Sequence, residues 1–174
     1  MSLKNFLQEI EKGLKSGSYL LYADSHHPIE EAISALKKNV PEGEADFNLN
    51  IFDMDSPDGA PAPDEILTTL NTIPFFGGCR YVVVKNLQKL PIKEFRKFYP
   101  YFSSPSSTSV LMLLYAGSLK KEIKENLKGV KAICLDIREN DLPYWIKEKA
   151  RANGFSISDD TADYLIGIVG NDTG

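Results

Sequence analysis

Tyr19-Leu20-Leu21-Tyr22-Ala23, running on into Asp24-Ser25-His26-His27-Pro28-Ile29-Glu30-Glu31-Ala32-Ile33-Ser34-Ala35-Leu36, is the stretch on which the fold turns. Its first five residues are apolar on both faces, as in a strand buried within a sheet. Pro28 then opens a segment with Ile29, Ala32, Ile33 and Leu36 at helical spacing and with Glu30, Glu31, Lys37 and Lys38 elsewhere. Proline is favoured in a helix's first turn, where its missing N–H would have had no intrahelical acceptor. A buried strand feeding an amphipathic helix through a short connection is the repeating unit of a parallel sheet.

The same alternation extends outward. Upstream, Leu3, Phe6, Leu7, Ile10 and Leu14 predict an amphipathic opening helix, broken by Gly13 and by Ser16-Gly17-Ser18. Downstream, Phe47, Leu49 and Ile51 alternate with Asn48 and Asn50 in a second strand that ends at Asp53-Met54-Asp55. A proline-rich loop over 56–63 leads to a helix from 64 to about 70. Residues 81–84 read as a third strand, followed by a helix containing Ile92, Phe95, Phe98 and Tyr99. Residues 109–115 read as the fourth strand, 119–127 as a helix and 130–137 as the fifth strand. This pattern implies an α/β domain: a five-stranded, mainly parallel sheet with helices on both faces.

Beyond Arg138 only helices follow. Asp141 is placed to cap one carrying Leu142, Trp145, Ile146 and Ala150, ending at Asn153-Gly154, and Ser158 to cap another carrying Ala162, Leu165, Ile166 and Val169. Two such helices bury little by themselves. Residues 140–174 are therefore expected to be the start of a small helical domain, cut short, after an α/β domain over 1–139.

The chain has 174 residues, 43% apolar and 25% charged, which excludes collagen-like, disordered and disulfide-scaffold classes. Its longest apolar runs, at 110–115 and 130–134, fall far short of the ~20 residues of a membrane span. The first residues lack the basic-then-apolar order of a secretion signal. Two cysteines, Cys79 and Cys134, suit free thiols in a reducing cytoplasm. Residues 1–79 carry 5 Lys against 13 Asp and Glu, a balance of −8, and the remainder carries +4. That asymmetry reads as solvated surface rather than a nucleic-acid footprint, and Lys120, Lys124 and Lys128 as one solvated helix face.

A parallel sheet puts ligand sites beyond the C-terminal ends of its strands. A nucleotide site there needs G-x-x-x-x-G-K-[ST] after the first strand. The loop from Asp24 to Glu31 has neither glycine nor lysine, and its carboxylates would repel a polyphosphate. His26-His27 lacks the third ligand of a metal site. Asp24, Asp53 and Asp55 could in principle form the magnesium-binding acceptor cluster of a receiver-like signalling domain, but they follow the first and second strands instead of the third, so capping of loops is preferred. No catalytic, metal or cofactor residue is assigned. Between the third helix and the third strand lies Ile73-Pro74-Phe75-Phe76-Gly77-Gly78. Two adjacent rings on such a loop either tuck under the sheet edge or project as an apolar, protein-binding knob.

Tyr19-Leu20-Leu21-Tyr22, Thr72-Ile73-Pro74-Phe75-Phe76-Gly77-Gly78-Cys79-Arg80-Tyr81-Val82-Val83-Val84-Lys85-Asn86-Leu87-Gln88-Lys89-Leu90, Asp141-Leu142-Pro143-Tyr144-Trp145-Ile146 and Gly170-Asn171-Asp172, in that order, resemble the delta subunit family of bacterial DNA polymerase III. This is the clamp-loader subunit that opens the sliding clamp. The resemblance implies an AAA+ type three-layer domain without a working phosphate loop, then the start of a helical lid domain, with the family's collar domain absent. It also implies no intrinsic catalysis and no cofactor. The implied partners are the sliding clamp (beta subunit), the gamma/tau and delta prime subunits, and primed DNA through the assembled complex, with no membrane. Clamp contact is implied for Phe75 and Phe76, with Ile73 and Pro74 supporting them. The rival readings are a receiver-like domain and an altered P-loop NTPase. Calorimetry of the chain with Mg-ATP is expected to show no saturable binding at micromolar concentration, because carboxylates replace the phosphate-holding groups; saturation in that range would restore the NTPase reading.

Overall fold

A computed structural model of the chain describes residues 3–41, 43–75, 77–137 and 139–169. Helix α1 (Leu3–Glu11) leads to β1 (Ser18–Ala23), α2 (His27–Asn39), the one-turn α3 (Ala45–Asn48), β2 (Leu49–Asp53), α4 (Pro63–Leu70) and β3 (Arg80–Lys85). Then come α5 (Ile92–Phe95), α6 (Tyr99–Ser103), β4 (Ser109–Ala116), α7 (Lys121–Lys124), β5 (Lys131–Cys134), α8 (Leu142–Ala152) and α9 (Asp159–Val169). The strands form one parallel sheet in the order β2-β3-β4-β1-β5, with Leu20 opposite Leu113 and Ala132, and Val83 opposite Ile51 and Met112.

Side chains alternate between the faces of a strand, so each central strand feeds two cores. Leu20, Val82, Val84, Leu111 and Leu113 point to one face, covered by Ile66 and Leu70 of α4 and by Phe95, Phe98 and Phe102. Tyr19, Leu21, Val83, Met112 and Leu114 point to the other, covered by Phe6 and Ile10 of α1 and by Ile29, Ile33 and Leu36 of α2. The result is the expected three-layer α/β architecture, and the order differs from the 2-1-3-4-5 of receiver-type sheets.

Four elements differ from the sequence reading. Phe47 belongs to α3, not to the second strand, which starts at Leu49. The helix through Ile92 and Tyr99 is broken into α5, a 3-10 turn (Arg96–Phe98) and α6. Pro100 has no N–H to donate to the Arg96 carbonyl, and its ring crowds that carbonyl. The helix expected over 119–127 shrinks to α7, after which single turns close at Asn126 and Val130. Strand β5 stops at Cys134 because its one neighbour, β1, turns off into α2; Leu135 N–H still reaches the Tyr22 carbonyl (2.8 Å), but Asp24 N–H is taken by the Asp136 side chain (2.9 Å).

In the C-terminal helices, Ser158 Oγ accepts from Thr161 N–H (3.2 Å), and α8 ends with Gly154 at φ +81°, Phe155 N–H reaching back to the Ala150 carbonyl. Asp141 holds the N-cap position in helical conformation and forms no side-chain cap hydrogen bond, since capping requires an extended residue there. Helix α8 docks on α2 through Trp145, whose ring stands perpendicular to His27 (6.1 Å) and lies under Lys149, itself paired with Glu31 (2.8 Å). On α9 Ala162 is buried, whereas Leu165, expected on the packed face, is exposed beside Tyr164 and Ile168. Val169's side chain and the Gly170-Asn171-Asp172 motif lie outside the described residues. Lys120, Lys124 and Lys128 are exposed, and among the described residues no helix is long and apolar enough to cross a membrane.

Tyr19 ties α1 to the sheet. Its buried hydroxyl donates to Glu9 Oε1 (2.7 Å) and accepts from the Lys15 and Ser16 amides (2.9 Å each), while Lys131 Nζ holds the same carboxylate (2.7 Å). Burial, then the hydrogen bond to Glu9, pushes the Tyr19 phenol up to about 12. An unfolded tyrosine titrates near ~10, so the folded chain holds this proton more tightly, and the resulting stability is full below pH ~10 and lost as pH rises towards 12. Thermal melts are expected to decline over that window in the wild type and to decline less in Tyr19→Phe.

Candidate functional site

Because every strand runs the same way, the sheet has an edge of strand C-termini and an opposite edge of strand N-termini. With ~3.3 Å per residue, the two lie ~20 Å apart along a six-residue strand. The C-terminal edge is where such a fold binds small ligands. There, Asp53 Oδ1 accepts from Asn86 Nδ2 (2.7 Å) and from the Asp55 amide (2.9 Å); the Asn86 bond, then the Asp55 bond, holds the Asp53 carboxyl below its ordinary value. Asp55 pairs with Lys89 (3.4 Å), and Lys85 at the end of β3 pairs with Glu30 (2.9 Å) in the first turn of α2. Asp24, at the end of β1, faces Asp136 instead. In the observed order β1 and β2 are three strand positions apart, or ~14 Å at ~4.8 Å per strand. Asp24 therefore cannot join Asp53 and Asp55 around one ion. Among the described residues no three His, Cys, Asp or Glu side chains are grouped to hold a metal. His26 lines a cleft of about 290 Å³ with Glu30, Asp55, Lys85 and Asn86, and His27 packs on Trp145. The local chemistry is that of ion pairs closing a loop.

The N-terminal edge is different. The loop between α4 and β3 carries Ile73 and Phe75 out into solvent, 79% and 73% exposed, with Pro74 buried beneath them. Phe76 lies outside the described residues. Gly77 (φ +78°) and Gly78 (φ +71°) follow in consecutive left-handed conformations that glycine adopts without steric cost, and the Gly77 amide reaches the Pro74 carbonyl (3.4 Å). Of the two dispositions open to the ring pair, Phe75 takes the outward one.

Arg80, at the head of β3, keeps this loop in place. It is only 8% exposed, and its guanidinium donates to four oxygens from two segments. Nε reaches the Thr72 carbonyl (3.2 Å) and Nη2 the Ile73 carbonyl (3.4 Å), while Nη1 reaches the Phe47 carbonyl (3.0 Å) and Asn50 Oδ1 (2.8 Å). Asn48, fully buried, accepts the Phe75 amide on Oδ1 (3.3 Å). The Phe47 ring stacks on Phe75 with centroids 5.5 Å apart and planes 19° apart. Behind the loop, Cys79 is a free thiol pushed up by burial.

Sequence reasoning reached Ile73, Pro74 and Phe75 but not Phe47, Asn48, Asn50 or Arg80. Phe47 heads an alternating pattern that reads as strand, and nothing local ties it to a loop 28 residues further on. The one available signal was Asn48 and Asn50, poor strand formers, at the start of an otherwise apolar run. Arg80, directly after two glycines, gave no sign of its burial.

An exposed aromatic projection therefore stands on a three-layer α/β domain, at the edge opposite the strand C-termini. Residues 19–137 match the family model described as DNA polymerase III, delta subunit, and the chain belongs to that family. Over an alignment 179 positions long, gaps included, that covers 92% of this chain, it is 25% identical to the DNA polymerase III subunit delta of Bacillus subtilis, and it spans about half the length of that curated relative (50%). Among solved structures it superposes on the Bacillus subtilis DNA clamp loader delta protein with TM-score 0.73 at 23% identity, covering 94% of this chain and 51% of the other. It also superposes on a DNA polymerase III gamma subunit-related protein of Thermotoga maritima, with TM-score 0.54 at 19% identity, covering 90% and 55%. These two likenesses concern the fold.

Replacing Arg80 by Ala removes one charged donor group from three loop carbonyls and Asn50 Oδ1, all through part-buried bonds, and a hydrogen bond to a charged group contributes ~1.5–3 kcal/mol. Denaturant titration of Arg80→Ala is expected to show a loss of about 2–4 kcal/mol. Arg80→Lys is expected to recover only part of it, since a point charge cannot reproduce the four-way fork.

Proposed function

We propose that this chain is the clamp-contacting part of a clamp-loader subunit: it binds the sliding clamp, the beta subunit, through the tip made by Ile73, Pro74, Phe75 and Phe76, and so opens the ring for loading on primed DNA. What carries the reading is the exposed, preorganised Phe75 in a chain of the delta subunit family. Phe75 enters an apolar pocket of the clamp, Phe76, the next residue in sequence, adds to the anchor, and Pro74 supports the turn. Filling the pocket holds a clamp protomer in a shape that weakens the ring interface. The free energy comes from burying apolar surface at a site already rigid, so little entropy is lost on docking.

In this reading the chain performs no chemistry itself and serves as a component of a DNA-directed DNA polymerase assembly in the cytoplasm. The gamma/tau and delta prime subunits are its assembly partners, and their ATP-driven movement exposes or covers the tip. Primed DNA is met through the assembled complex. Residues 1–139 form the clamp-contacting α/β domain and 140–174 the start of a helical domain, for which the exposed Tyr164, Leu165 and Ile168 offer unfilled apolar surface.

The test is calorimetry with a purified bacterial sliding clamp, beside circular dichroism melts. Each Phe buried on docking contributes ~1.5–3 kcal/mol, so the double variant Phe75→Ala, Phe76→Ala is expected to bind roughly 10²- to 10⁴-fold more weakly with its melt unchanged. A collapsed melt, or undiminished binding, would remove the tip from the clamp interface.

A further inference from the structure

Phe47 comes from a different segment than the tip, yet it shares the tip's exposed face. The residue is 47% exposed and belongs to neither core. Its ring stacks nearly parallel on the Phe75 ring with centroids 5.5 Å apart, so the two exposed residues form one contiguous aromatic cluster. Both residues are held through their backbones by the same buried pair of side chains. Arg80 takes the Phe47 carbonyl (3.0 Å) together with the Thr72 and Ile73 carbonyls, and Asn48, the residue after Phe47, takes the Phe75 amide (3.3 Å). A ring whose purpose was to fill the core would be buried, and a stray surface ring would not need a latch of this kind behind it. Aromatic side chains held rigid before docking lose little rotamer freedom on binding and dominate interface energetics.

We propose, resting on the clamp-binding reading above, that the anchor is composite: Phe47 packs against the clamp's apolar surface together with Phe75, as a second anchor supplied by the turn ahead of β2. Arg80 keeps the two segments in register. The occupant is the clamp because the Phe47 surface is continuous with the face that Phe75 presents to it. Phe47 then widens the contact beyond the slot a single loop could fill, and it contributes to which clamps fit.

The experiment titrates a purified sliding clamp into the 174-residue chain and into its Phe75→Ala, Phe47→Ala and Phe47→Trp variants, with melts recorded for each. Phe47→Ala is expected to weaken binding about tenfold, the scale of an interface hot spot, with an unchanged melt. Phe47→Trp is expected to keep most of the affinity. Its emission, after subtraction of the wild-type signal from Trp145 on α8, is expected to shift to shorter wavelength when the clamp is added. If Phe47→Ala fails to fold, the emission shift of Phe47→Trp decides alone. Phe75→Ala weakening binding while Phe47→Ala stays within about twofold, or an unmoved emission in a clamp-bound Phe47→Trp variant, overturns the composite anchor and leaves the clamp reading standing. No binding by the wild-type chain, or binding indifferent to Phe75→Ala, overturns the clamp reading and the composite anchor with it.

Discussion

Parallel pairing of all five strands is the constraint from which the rest follows. Each crossover must return along a face of the sheet, so helices cover both sides and every strand is consumed in two cores at once. Loops that follow strands then gather at one edge, and loops that precede strands gather at the other. Chemistry on one edge is thereby decoupled from contacts at the other, a separation that no antiparallel arrangement of the same elements would supply. The order β2-β3-β4-β1-β5 adds the second restriction, placing β3, β4 and β1 inside the sheet and leaving β2 and β5 with one neighbour each.

At the C-terminal edge the connections are closed by local electrostatics. Glu30 with Lys85, Asp55 with Lys89, and Asp53 with the Asn86 amide each join one loop to the next. Two of these are ion pairs with substantial exposure, where screening leaves little net stabilisation. Their consequence is geometric: the acidic side chains are parcelled out in ones and twos along the edge, and the cations nearest to them are already engaged.

At the N-terminal edge a buried guanidinium does what secondary structure cannot. Thr72 and Ile73 sit in a loop whose carbonyls have no ladder to join, and Phe47, in the last turn of the one-turn α3, has the same difficulty. An unpaired buried carbonyl is costly, and a planar fork with five N–H donors can satisfy several from different directions. The apolar rings outside are thus held by polar contacts inside. Phe75 and Phe47 are thereby exposed in one defined, stacked arrangement.

The strand-helix alternation, the parallel sheet and the carboxylate-bearing loop after β1 were legible in the chain itself, because period, proline placement and glycine content are local properties. Ile29, Ala32, Ile33 and Leu36 fall on one face by spacing alone and are all buried. Ile73, Pro74, Phe75 and Phe76 stood out from composition and from family resemblance. What depends on distant residues was not legible. Phe47 reads as strand until one sees that Asn48 holds Phe75 in the loop before β3 and that Asn50 holds Arg80 at its head. Strand β5 reads as longer until its only neighbour turns away, and Leu165 reads as packed until the surface it would cover is sought. Sequence pattern records which face of an element is apolar. Only the tertiary structure decides whether anything lies against that face, because burial is a property of the space between segments that the chain brings together from far apart.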